Sequence, residues 1–118
     1  MITTQATRKP FAGEAGYAVS KGALAVAAKY LARELGVRGI RANSIHMGWR
    51  WGVPTQGYFR QAATEHGVPE AQIIASNLAL ARLPTDDDCA RAALFLASDY
   101  ANAVTGATLD ANGGDFTP

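Results

Sequence analysis

Tyr17 and Lys21 stand four residues apart. In a helix that spacing places both side chains on one face. A free tyrosine has a pKa of about 10, too high for an efficient base near neutrality. An ammonium beside it favours the phenolate and lowers that value. Such a pair can pass a proton to or from the oxygen of an alcohol or a carbonyl. Spacing alone does not make the case, because a tyrosine and a lysine at this interval more often decorate a solvated helix face.

Other chemistry-bearing residues are few. Cys89 is the single cysteine, and neither His46 nor His66 has a second histidine at ligand spacing, so no metal site is expected. Asp86, Asp87 and Asp88 follow Thr85, a good helix cap, and their charge suits the first turn of a helix. Trp49, Trp51, Tyr58 and Phe59 cluster after a strand-like segment. They either line an apolar substrate pocket or lid, or pack a loop onto the sheet.

The elements that position these groups alternate in type. Ile2–Thr4 is β-branched and strand-like, and residues 5–14 read as a loop through Pro10 and Gly13. A helix is expected from about Gly16 to Leu35. Ala18, Val19, Gly22, Ala23, Val26, Ala27, Tyr30 and Leu31 recur there at three- and four-residue steps. Its many small residues suit close packing against another helix. Gly36 and Gly39 supply the stop.

Ile40–His46 reads as a second strand ending at Met47-Gly48, and Trp49–Gly57 as a functional loop. Short helices are possible between Tyr58 and Leu80. Thr85 opens a last helix that ends near Ser98, with Cys89 buried on its apolar side. Ala107–Ala111 is a third strand, and Asn112-Gly113-Gly114 a flexible exit. This order implies an α/β fold with about three parallel strands and flanking helices, like half of a Rossmann-like doubly wound sheet.

The totals narrow the class. The chain has 118 residues, a net charge of +1 and scattered charges, so neither nucleic acid nor a polyanion is an expected partner. No run of 18 apolar residues is present, so no membrane span is expected. One cysteine and the lack of a leader pattern fit a reducing cytoplasm.

Four segments, taken in order, resemble the short-chain dehydrogenase/reductase family. They are Tyr17-Ala18-Val19-Ser20-Lys21-Gly22-Ala23, Arg41-Ala42-Asn43-Ser44-Ile45, Phe95-Leu96-Ala97-Ser98-Asp99, and Val104-Thr105-Gly106 with Asp110 and Gly113-Gly114. The resemblance implies an NAD- or NADP-dependent oxidoreductase that interconverts an alcohol and a carbonyl. Tyr17 matches the acid/base, and Lys21 the residue that tunes it and bonds the nicotinamide ribose. Thr4 stands where the family has a serine that bonds the substrate oxygen; the other reading of Thr4 is a plain strand residue. Ile45 and Gly48 match positions beside the cofactor, while Trp49 and Trp51 are candidates for contact with a small-molecule alcohol or ketone.

The chain departs from the family in three places. Met47-Gly48 replaces a proline-glycine pair, the nearest threonine downstream is Thr55, and no G-x-G-x-x-G motif is present. The expectation is therefore one unit over residues 1–118, the C-terminal part of such a domain with its nucleotide-binding half absent. Alone it is expected to be inactive and to form homo-oligomers. The alternative is a non-catalytic fragment that acts as a self-associating interaction module.

Overall fold

The computed structural model describes residues 1–117. Three short strands, β1 (Ile2–Thr4), β2 (Ser44–Met47) and β3 (Thr108–Ala111), form one parallel sheet in the order β1-β2-β3. The register sets Thr4, Met47 and Ala111 at its C-terminal edge through the pairs Thr4↔Met47 and Met47↔Ala111. Parallel neighbours need crossovers. Helix α1 (Ala15–Leu35) joins β1 to β2, and α2 (Val53–His66), α3 (Glu70–Asn77) and α4 (Asp86–Ala97) lie between β2 and β3. The expected α/β architecture of three parallel strands with flanking helices is present.

The alternation of side chains separates two unlike faces. One is apolar: Ile45 packs with Leu96 and Ala101, and Met47, Leu109 and Ala93 close around them beneath α4. The other carries buried Thr3, Ser44 and His46. Thr3 Oγ1 satisfies itself on the Ile45 carbonyl at 2.9 Å. A second apolar cluster of Phe59, Ile74, Leu78 and Leu83 holds α2 and α3 together, with Trp49 against it.

Three sequence expectations shift. Strand β2 starts at Ser44 rather than Ile40, because residues 41–43 are held by side chains instead of a ladder. Arg41 donates to the carbonyls of Leu96, Ser98 and Val104, and Asn43 bridges Val104 and Ala107. The loop after β2 is shorter than expected, since Pro54 sits in the first turn of α2, where its missing N–H costs nothing. On α1, only Ala28 and Ala32 are fully buried, while Val19, Val26 and Tyr30 are exposed. That small-residue helix therefore has one packed face and one open apolar face.

Helix α4 opens as its sequence implies. Thr85 Oγ1 accepts from the Asp88 N–H at 3.1 Å and the Asp88 carboxylate accepts from the Thr85 N–H at 3.0 Å, a reciprocal capping box. These bonds hold the Asp88 carboxyl down at about 2, with Arg82 at 2.8 Å contributing. The radius of gyration is 16.1 Å, against about 13.5 Å for a compact domain of this length. The three-stranded sheet leaves its elements spread out, and the open face of α1 accompanies that.

Candidate active site

All three strands run the same way, so the segments leaving β1 and β2 emerge at one edge of the sheet. Crevices at that edge are where open α/β sheets hold ligands. A cavity of about 420 Å³ lies there, lined by Thr4, Tyr17, Gly48 and Trp49 among the sequence candidates. Gln5, Phe11, Glu14 and Tyr58 line it as well.

Tyr17 lies in the first turn of α1 and is half exposed. Lys21 is one turn on, with Nζ 5.9 Å from the centre of the Tyr17 ring. Nζ also donates to the Ile2 carbonyl at 3.1 Å, which anchors the ammonium to β1. Thr4 is buried, and its Oγ1 caps a single 3-10 turn (Gln5–Thr7) by accepting from the Ala6 N–H at 3.3 Å. That bond uses the hydroxyl as an acceptor and leaves its proton free to donate. Neighbouring Thr3 points to the other face and spends its hydroxyl on the sheet.

Gly48 forms part of the floor. A Cβ there would lie 2.5 Å from Asn112 Cβ and 2.6 Å from Gln5 Oε1, so no side chain fits. Asn112-Gly113-Gly114 is not a loose exit. Both glycines have positive φ, a Cβ on either would strike Leu78 or Ala79, and the Leu80 N–H donates to the Gly113 carbonyl at 3.0 Å. Asp115, with a fully buried side chain, meets Lys9 Nζ at 2.6 Å and accepts from Gln5 Nε2. The C-terminal segment is thereby tied under the residues that follow Thr4.

Not every candidate reaches the cavity. Ile45 is interior, with its side chain in the core, its N–H on the Met1 carbonyl and its C=O on Thr3. Trp51 is half exposed and outside the lining, its N–H bonded to the Pro84 carbonyl at 2.8 Å. Trp49 does form a wall: it stacks on Tyr58 at 4.9 Å and meets Phe11 and Phe59 edge-on at 5.8 and 5.6 Å. Phe11 and Glu14 were hidden in what reads as a polar loop. The available signal was topological, since segments after parallel strands share an edge.

His46 lies away from the cavity, on the α1 side of the sheet. Its Nδ1 is 3.4 Å from Asp110 without hydrogen-bond alignment, and among the described residues neither ring nitrogen has a hydrogen-bond partner. Burial, with the Arg8 charge second, pushes its pKa down against the pull of Asp110. Cys89 is buried and burial raises its thiol pKa, so it is a poor nucleophile. Among the described residues, no group of three or more His, Cys, Asp or Glu side chains could hold a metal, and no helix is long and apolar enough to cross a membrane.

The family model described as enoyl-(acyl carrier protein) reductase matches residues 1–115. The chain belongs to the short-chain dehydrogenase/reductase family. Among its relatives, the protein FixR of Bradyrhizobium diazoefficiens is 38% identical over 106 residues, covering 89% of this chain and 34% of the relative. The 3-oxoacyl-(acyl-carrier-protein) reductase of Pseudomonas aeruginosa is 36% identical over 107 residues, covering 89% of this chain and 39% of the relative. A 4-hydroxyisoleucine dehydrogenase solved in complex with NADH superposes with a TM-score of 0.81 at 30% identity, over 96% of this chain and 44% of that one. The chain thus spans between a third and a half of the length of each of these three proteins.

The nicotinamide end of a dinucleotide suits the residues present. Lys21 has two ammonium protons left after its bond to Ile2, and the Tyr17 hydroxyl shares its helix face. Glu14 stands at the cap of α1, and a carboxylate there disfavours a phosphate at that helix start.

Proposed function

We propose that this chain is the catalytic part of an NAD(P)(H)-dependent oxidoreductase that interconverts an alcohol and a carbonyl. The observation that carries the reading is the grouping of Thr4 and Tyr17 on one cavity, with the Lys21 ammonium beside the Tyr17 ring. When bound, the nicotinamide supplies or accepts the hydride. Tyr17 Oη gives a proton to the carbonyl oxygen in reduction and removes it in oxidation. Lys21, anchored on Ile2, holds positive charge beside that phenol and offers its remaining protons to a ribose hydroxyl. Thr4 Oγ1, with its proton free, donates to the same substrate oxygen. The stack of Trp49 and Tyr58 with Phe11 favours a substrate that carries a ring.

The test uses the complete coding region and these 118 residues side by side, assayed by nicotinamide absorbance with cyclic and aromatic ketones. Turnover by the complete protein that Tyr17→Phe lowers about 10²- to 10⁴-fold supports the reading. Full turnover with Tyr17→Phe sinks it. For the 118 residues alone we expect no turnover and no NAD(H) or NADP(H) binding by calorimetry.

A homo-oligomer is the partner this reading favours. Val19 (73% exposed), Val26 (52%) and Tyr30 (65%) form an uncovered apolar stripe on α1.

A further inference from the structure

We propose that the cavity selects a ring-bearing substrate that also carries a positive charge, an ammonium group close to the reacting carbon. The inference rests on the reading of this cavity as the substrate site and adds its charge preference. Every cation on the neighbouring loops is already matched: Arg8 with Asp110 at 2.9 Å, Lys9 with Asp115 at 2.6 Å, and Arg50 with Asp86. Lys21 is held on the Ile2 carbonyl, one turn away from Tyr17, and does not line the cavity. Glu14 does line it, is exposed, and enters no ion pair among the described residues. Among the described residues it is the single charged one of the lining.

The start of α1 lies there too, and its dipole contributes about half a positive charge. The full negative charge of Glu14 at the cap outweighs it. Gln5 adds to the same sign. Its Nε2 is committed to Asp115, which turns Oε1 away from that carboxylate. Oε1 is buried, has no donor among the described residues, and lies against Gly48 in the floor of the cavity. The polar ends of Glu14 and Gln5 are therefore acceptors, and the walls are the rings of Trp49, Tyr58 and Phe11, with Lys9 Nζ already 5.8 Å from the centre of the Phe11 ring. Aromatic faces and a carboxylate together attract a desolvating cation and repel an anion. Glu14 and Tyr17 are three residues apart at the start of one helix, so their Cβ atoms are about 5–6 Å apart. An ammonium held by Glu14 would thus sit within a few bonds of an oxygen held by Tyr17.

The test reads binding, independently of turnover. With Trp51→Phe, the remaining Trp49 reports on the cavity by fluorescence. Benzylamine and benzoate are matched in ring and opposite in charge at neutral pH. Saturable quenching by benzylamine, about tenfold tighter than by benzoate and weakened by salt, is expected. Glu14→Gln should bring the two within about twofold; its side chain makes no cap bond and no ion pair among the described residues, and circular dichroism verifies that the helix persists. Equal or tighter binding of benzoate, no binding of benzylamine, or an undiminished preference in Glu14→Gln each overturns the proposal. None of these results touches the hydride-transfer reading, which stands or falls on the Tyr17→Phe assay.

Discussion

Lys9 Nζ lies 2.6 Å from the carboxylate of Asp115, 106 residues away, and that carboxylate is fully buried while the lysine is one-third exposed. The asymmetry decides which partner matters. A buried carboxylate without its cation is costly, whereas a freed lysine can reach water. Lys9→Met should therefore lower stability by about 3 kcal/mol, and Asp115→Asn by clearly less, in urea melts with an unchanged slope. Equal losses would mean that the pair acts only as a surface contact.

Gly48 should not accept even one methyl group. The Cβ of Gly48→Ala would meet Asn112 Cβ at 2.5 Å and Gln5 Oε1 at 2.6 Å. Overpacking of this kind costs about 1–3 kcal/mol, and it would displace Gln5 from the cavity lining and shift Asn112 beside it. A melting temperature equal to that of the parent chain would refute the close approach.

His46 sets an acid limit on stability. Its folded pKa is lowered, chiefly by burial and then by Arg8, so between the folded value and about 6.5 the unfolded chain binds more protons. Stability is then complete above about pH 6.5 and is lost as pH falls through the lower folded value. The charges facing His46 are Arg8 from the loop, Asp110 from β3 and Lys29 from α1, and Asp110 alone opposes the shift. His46→Gln should flatten the stability profile between pH 6.5 and the acid limb in fluorescence-detected melts taken across about pH 4–8. An unchanged profile would assign the acid sensitivity elsewhere.

The open stripe on α1 predicts association. Val19→Lys with Tyr30→Lys places charge on residues that touch little in the single chain. Sedimentation velocity should show oligomers of the parent chain dissociating in the double variant, with helix content retained. A parent chain that is monomeric at micromolar concentration would count against a homo-oligomer.

The capping box of α4 is a local prediction. Thr85→Ala removes the acceptor for the Asp88 N–H and should cost about 1 kcal/mol. Thr85→Ser should retain most of that stability in the same melt.

Local chemistry was legible in the sequence. The Tyr17–Lys21 spacing placed both groups on one helix face, Thr85 with its aspartates announced the start of α4, and the alternation of elements implied parallel strands. These depend on contacts within a few residues, where backbone geometry decides. The cavity depended on tertiary structure, because it is built where the ends of parallel strands meet. Phe11 and Glu14 came from a segment that reads as loop, and Ile45 and Trp51 were carried away from the site by the core and by Pro84. Gly113 and Gly114 read as a loose end until Leu78 and Ala79 were found against them. Sequence spacing fixes which neighbours share a face; only packing between distant segments, where no room is left for a Cβ at Gly48 and a lysine closes on Asp115, decides which faces surround one space.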